Sequence, residues 1–294
     1  MRTKIAFVMV PALALALGST AHGSIVWAVE NFKQGPWGGS NTLVTFASNN
    51  PSVLNFIGAA NVGMGIPGEL ISGLDWAPSG LFAYSQTSNL LYSVDPDTGL
   101  AALIGGGGIQ GEIITGMTYN PSDGKMYLVG SGGDGSSATV TYTVNLFTGM
   151  ASNRVEYGGP ASLPIDIATN SAGQMYVHDI VNDIMLEIVG GNLVPLPNPT
   201  GWNANFSQGM SINWSEPGAE ADQWLVATIN AGNFNNDELW QIDAATGLGT
   251  FLGDTGAPGL TNEFGDIAFF IIPTPGSLAL LGLAGFFGRR RRRS

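Results

Sequence analysis

One plan recurs along this chain. Ser72–Gly105 reads SGLDWAPSGLFAYSQTSNLLYSVDPDTGLAALIG, and Thr115–Val155 opens TGMTYNPSDGKMYLVG and runs on to TYTVNLFTGM. Gln208–Gly253 opens QGMSINW and closes DELWQIDAATGLGTFLG. Pro164–Leu196 is a weaker copy, PIDIATNSAGQMYVHDIVNDIMLEIVGGNLVPL. Each copy has a short strand, a turn with Gly, a second strand, a loop, a strand of the type Leu-Tyr-x-Val-Asp, a Thr-Gly turn and a last strand. The copies are spaced 43 to 49 residues apart, counted from Gly73 to Gly116, Ile165 and Gly209. Four antiparallel strands at that period predict the blade of a β-propeller. The rival fold is a β-sandwich or an irregular all-β solenoid.

The turns have a physical basis. Asp95-Pro96-Asp97-Thr98-Gly99 combines a proline that fixes φ, a carboxylate that accepts from backbone amides, and a glycine free to take positive φ. Leu146-Phe147-Thr148-Gly149 and Ala244-Ala245-Thr246-Gly247 stand at the same place in their copies. Glycine, 43 of 294 residues, is spread through such turns and not gathered into one linker.

The two ends of the repeat region complete each other. Asn41–Gly58 matches the last two strands of a copy, and Glu263–Phe270 matches the first. The strand over Ser24–Glu30 fills the second place. The expectation is an all-β propeller of five four-stranded blades, one of them composite, with no open edge. The body also resembles extracellular propellers with repeats of the type Leu-Tyr-x-Val-Asp-x-x-Thr-Gly, a resemblance that implies architecture and not chemistry.

Both termini read as address tags. Arg2 and Lys4 precede the 13-residue apolar stretch Ile5–Leu17, and Ala21-His22-Gly23 supplies small residues before Ser24. This is the pattern of a secretory signal peptide over 1–23, recognised by the Sec export machinery. At the other end, 273–294 holds Pro273-Thr274-Pro275-Gly276, the 12-residue run Ser277–Gly288, and Arg289, Arg290, Arg291, Arg292 and Arg293. A span this short falls below the ~20 residues of a standard transmembrane helix, so it suits transient anchoring. The arginines resist transfer and act as a membrane stop. A signal helix at the start and a short transmembrane helix at the end are therefore expected, flanking a body over 24–272.

This tail resembles the PEP-CTERM sorting signal, the substrate of exosortase enzymes. The family's usual Glu between the prolines is Thr274 here, which bears on which sorting enzyme acts. The resemblance implies an exosortase-type partner and delivery to the envelope, outer surface or extracellular matrix of a Gram-negative-type bacterium. An ordinary C-terminal anchor that is never cut is the alternative.

With both tags set aside, only Lys33, Lys125 and Arg154 remain against all 22 Asp and Glu, which leaves −19 against −12 for the whole chain. Such a body repels nucleic acid. The chain has no cysteine, which excludes disulfides and thiol chemistry. His22 leaves with the signal, and His178 alone cannot build a histidine-rich metal site.

Catalytic motifs are missing from the sequence. There is no Gly-x-Ser-x-Gly elbow, no His-Glu-x-x-His and no phosphate loop with its lysine. His178-Asp179 is weighed as a base and its orienter, against a plain loop histidine. Asp75, Asp166 and Asp266 recur on first strands and could converge in a channel, although Thr118 and Ser211 stand at the equivalent places in other copies. Asn233, Asn235, Asp237 and Glu238 offer hard oxygens for calcium, against a solvated hairpin, with no other cofactor expected. Trp37 and Trp202 sit in Gly/Pro/Asn-rich loops and are candidate ligand contacts. The expected function is a non-enzymatic, exported structural, adhesive or glycan-binding protein, with an exopolysaccharide or matrix protein as partner. The alternatives are a polysaccharide lyase or hydrolase working in the channel, and a calcium-dependent adhesin.

Overall fold

The computed structural model describes residues 24–31, 41–59, 62–132, 138–159, 163–204, 206–213, 224–230, 237–256 and 263–270, with 206–208 and 224–230 described by backbone alone. The expected signal helix and C-terminal helix lie outside these residues, as do Trp37, Asn233, Asn235, the Pro273–Gly276 motif and the terminal arginines. The described residues are all-β, with no helix.

The strands form five antiparallel sheets of four. β1 (Ile25–Glu30), β2 (Thr42–Ala47) and β3 (Asn50–Phe56) share a sheet with β20 (Phe264–Phe269), in the order β20-β1-β2-β3. β4 (Ile71–Ala77), β5 (Gly80–Ser85), β6 (Leu90–Val94) and β7 (Ala101–Gly106) make the next. β8 (Ile113–Asn120), β9 (Lys125–Ser131), β10 (Thr139–Val144) and β11 (Ala151–Tyr157) follow. Then come β12 (Pro164–Thr169), β13 (Met175–Asp179), β14 (Ile184–Val189) and β15 (Asn192–Pro195). The last sheet is β16 (Phe206–Ile212), β17 (Trp224–Asn230), β18 (Glu238–Asp243) and β19 (Gly249–Asp254). First strands meet one another in turn, β4 to β8 to β12 to β16 to β20, and β20 returns to β4. This is a propeller arrangement in which the sheet containing β20 and β1 joins the ends of the described chain.

Burial follows the radius. β4 and β20 are buried at every position, because neighbouring sheets cover both of their faces. The fourth strands β7, β11 and β19 are mostly exposed or half-buried. First strands therefore read as runs of small and apolar residues, while fourth strands leave even apolar side chains such as Leu103 and Phe251 exposed. The apolar core lies in wedges between sheets. One wedge packs Tyr84 and Leu91 against Met117 and Tyr142, and another packs Tyr176 and Met185 against Met210 and Ile242. Each fully buried large side chain contributes about 1.5–3 kcal/mol.

Two sets of hydrogen bonds fasten sheet to sheet. Near the axis, Ser72 Oγ donates to the Ile114 carbonyl at 2.9 Å and Thr115 Oγ1 to the Pro164 carbonyl at 2.9 Å. Asn31 Nδ2 donates to the Ile71 carbonyl at 2.9 Å. At the rim, the Ala101 amide donates to Met64, Ala151 to Gly107, Leu193 to Gly158, and Gly249 to Thr200, each at 2.8 or 2.9 Å. The Gly256 amide reaches the Pro51 carbonyl at 3.1 Å and brings the rim back to its start. The Thr-Gly turns make this rim contact possible. Gly105 and Gly149 meet so closely that a Cβ on Gly149 would lie 2.3 Å from the Gly105 carbonyl. The acceptor read from sequence at Asp95 recurs one residue before the other two turns: Asp95, Asn145 and Asp243 each take the amides two and three residues on, at 2.8 to 3.2 Å.

Every first strand carries a bulge near its start. Pairing resumes at Gly73, Gly116, Asp166 and Asp266. Gly116 lies against Asp166. A methyl group there would stand 1.9 Å from an Asp166 carboxyl oxygen and 2.7 Å from its Cα, so side-chain rotation alone cannot relieve it. Gly116→Ala is expected to cost about 2–3 kcal/mol. The melting temperature, read by circular dichroism, should then fall by roughly 5–10 °C. An unchanged melting temperature would contradict this spacing.

Candidate functional site

Carboxyl groups gather where the first strands meet. Asp166 Oδ1 accepts from its neighbour's amide, Ile167, at 2.7 Å, and Oδ2 accepts from the Met210 amide of the next first strand. Asp266 does the same with Ile267 at 2.6 Å and with Leu74. Asp75 takes the Trp76 amide at 2.7 Å and the Tyr119 amide at 2.6 Å. Each carboxyl thus ties its strand to the next one around the axis. Asp166 and Asp266 also hydrogen-bond to one another. Gly209 of the intervening strand has no side chain to separate them, and a Cβ there would meet the Asp266 Cα at 2.8 Å.

The three aspartates are not at one repeat position. By register, Asp166 and Asp266 follow the bulge, where Gly73 and Gly116 stand, while Asp75 lies two residues further along with Thr118. Every first strand carries the same one-residue bulge, so the two-residue offset belongs to the aspartates themselves, and the expected equivalence of all three is corrected here.

Burial governs their ionisation. Burial pushes Asp75 up to about 7, against the backbone amides of Tyr119 and Trp76 and the Thr118 hydroxyl, which favour the anion. Burial raises both Asp166 and Asp266 well above the usual carboxylate range, and two carboxyls in contact retain a proton between them. Asp166 and Asp266 are fully buried and Asp75 is 7% exposed. None of the three presents an oxygen to a substrate. Their convergence is real for the pair, and its visible work is to join strands.

The other candidates fall into place around this ring. His178 is fully buried and burial depresses it to about 3, so the imidazole is neutral. Its Nε2 accepts from Trp202 Nε1 at 3.3 Å. Asp179 does not orient it. That carboxylate is taken by the Leu163 and Val181 amides and the Asn182 side chain, and the carboxylate nearest His178 is Asp183 at 4.0 Å. Trp202 was expected to face a ligand and is instead 8% exposed, edge-on between His178 and Trp240. The indole is an apolar filler with one donor, and the loop folds it inward to give that donor a partner. Asp237 and Glu238, read as calcium ligands, have other duties. Asp237 Oδ2 accepts from the Phe264 amide at 2.8 Å and Glu238 Oε2 from Trp240 Nε1 at 2.8 Å. No group of three His, Cys, Asp or Glu suited to a metal occurs among the described residues.

Sequence reasoning missed one open feature, a cleft of about 300 Å³ in the β8–β11 sheet bordered by Lys125, Phe147 and Asn153. Aligning the three Thr-Gly turns would have flagged Phe147, which stands where the others have Asp97 and Ala245.

No family model matches the chain and no curated protein matches it. Solved structures share its outline. One is virginiamycin B lyase from Staphylococcus aureus, in a catalytically inactive form with quinupristin, at 14% identity and TM-score 0.43, covering 87% of this chain and 73% of that one. A protein of unknown function from Bacteroides caccae has 12% identity and TM-score 0.45, covering 84% and 98%. A nidogen/laminin complex has 12% identity and TM-score 0.46, covering 78% and 76%. At these values the likeness says nothing about chemistry.

The buried carboxyls give a pH dependence. Asp75 has a folded pKa near 7, above its ordinary 3.8, so its contribution is fully present below about pH 4 and lost as pH rises through 7. Asp75→Asn removes that term. Urea unfolding at intervals from pH 4 to 8 should show the variant gaining on the wild type as pH rises, by at most ~4 kcal/mol. A constant difference across that range would contradict the assignment.

Proposed function

We propose that this chain is an exported, non-enzymatic protein of the cell envelope or extracellular matrix, whose body is a five-bladed propeller. The observation that carries the reading is the order of the tail: Pro273-Thr274-Pro275-Gly276, a 12-residue apolar run, then Arg289–Arg293. The Sec machinery takes the chain across the inner membrane behind 1–23. The arginines halt it, because moving each one into the hydrocarbon costs about 2.5–3.5 kcal/mol. The short apolar run then holds the tail while an exosortase-type enzyme acts near Pro273–Gly276.

The body suits a scaffold. Its five sheets of four strands, with first strands following one another in a circle, support the five-bladed reading. The aspartates near the axis are buried and bonded to backbone amides, and His178 is buried and neutral, which favours a structural, adhesive or glycan-binding role over a channel enzyme. A surplus of acidic residues keeps such a body soluble outside the cell and away from anionic lipid.

The test is the intact mass of the protein from its native cells, fraction by fraction. The expected species begins near Ser24, ends near Pro273–Gly276 and is found in the envelope or matrix fraction. A species that retains Arg289–Arg293 in the inner membrane would overturn the sorting reading and leave a tethered propeller.

A further inference from the structure

We infer that the cleft in the β8–β11 sheet is a binding site for a neutral hexose ring of a polysaccharide, a proposal that rests on the matrix reading above. The cleft holds about 300 Å³, at the small end of ligand sites, which suits a single ring. It opens where β9 begins, β10 ends and β11 begins, lined by Lys125, Thr143, Asn145, Phe147, Ser152 and Asn153.

Phe147 is the first reason. It is 90% exposed, at the tip of a turn whose frame is repeated in other sheets. Asn145 Oδ1 holds the amides of Phe147 and Thr148, just as Asp95 holds Asp97 and Thr98, and Asp243 holds Ala245 and Thr246. Asp97 and Ala245, in the same slot, are exposed too. The turn therefore needs no aromatic there, and the fold buries almost none of it. A ring held into solvent beside a polar cleft is a stacking surface for the C–H face of a sugar.

The backbone of the cleft is the second reason. Thr141 pairs with Val155 but Thr143 pairs with Ser152, so Asn153 and Arg154 form a bulge opposite Tyr142. Asn153 sits at φ +53°, a left-handed conformation uncommon outside glycine. Its side-chain Nδ2 donates to Thr143 Oγ1 at 2.8 Å, and the Thr143 and Ser152 hydroxyls lie 3.3 Å apart. Amide and hydroxyl groups are thus held side by side at the wall, with acceptor and donor capacity left over.

Charge selects the kind of sugar. Lys125 Nζ lies 3.2 Å from Asp123 Oδ2, in a half-exposed pair. Asp123, beside the lining, neutralises the ammonium, so Lys125 brings a hydroxyl donor to the cleft without net charge. The surrounding body, with 22 acidic residues in the whole chain, repels a polyanion. A single shallow ring site binds weakly, and many copies along a polymer raise the avidity.

The experiment titrates the full chain, in detergent, with short neutral oligomers of glucose, mannose and galactose, and with oligogalacturonate as the charged comparator, by calorimetry. At least one neutral oligomer should bind, and Phe147→Ala should weaken it about tenfold or more with the melting temperature unchanged. Lys125→Met should weaken it in the same direction. The proposal is overturned if no neutral oligomer binds, if only the charged oligomer binds, or if Phe147→Ala binds as the wild type does. Should binding fail while the mature species still fractionates with the matrix, the site falls and the matrix reading stands. Binding by a chain that never leaves the inner membrane would do the reverse.

Discussion

The first strands must lie side by side around one axis, and everything else in this protein accommodates that crowding. Neighbours cover both faces of β4, so its backbone groups have no water to turn to. An amide left unpaired there would cost about 1–3 kcal/mol. Asp75, Asp166 and Asp266 meet the need with carboxyl oxygens that accept from the Tyr119, Met210 and Leu74 amides of the following strand. Ser72, Thr115 and Asn31 do the same work in the opposite sense, donating to carbonyls. Glycine at 73, 116 and 209 leaves the room that lets the strands come this close. Among the described residues the cations Lys125 and Arg154 pair with Asp123, Glu112 and Glu156 and with none of the three aspartates. Protons, not counter-ions, therefore relieve the buried carboxyls.

Much of this was legible in the sequence, and the reasons are local. The Thr-Gly turns depend on an acceptor, a donor and a glycine within five residues, so they show wherever the letters recur. The sharing of a sheet by β20 and β1 was readable because half a repeat stands at each end. The position of the aspartates was not. Each of the three stands on a short first strand with few polar landmarks, so Asp75 looked equivalent to Asp166, although strand pairing puts it two residues further from the bulge, level with Thr118. Trp202 was misread for a similar reason. Its Gly/Pro/Asn-rich surroundings mark a loop, but only packing decides whether a loop aromatic points out or fills the wedge beside His178. Phe147 was passed over because the turn pattern around it was satisfied, and a satisfied pattern hides the residue it does not need.

The division between axis and rim also separates stability from function. At the axis Asp75, Asp166, Asp266, Ser72 and Thr115 each have a fixed partner in the neighbouring first strand, and changes there are felt as unfolding. At the rim the turns keep one frame and vary the residue they display, as Asp97, Phe147 and Ala245 do. A propeller can change what it displays by changing tips without disturbing the ring, which is how repeat folds commonly carry function.

Closure of the ring through the β20–β1 pairing is the claim on which the rest stands, and native-state hydrogen exchange followed by mass spectrometry tests it most directly. If the ring is closed as described, amides of residues 264–269 and 25–30 exchange as slowly as those of 71–77, and all are lost in one cooperative opening. Early, independent exchange of 264–269, with the remaining first strands still protected, would contradict it.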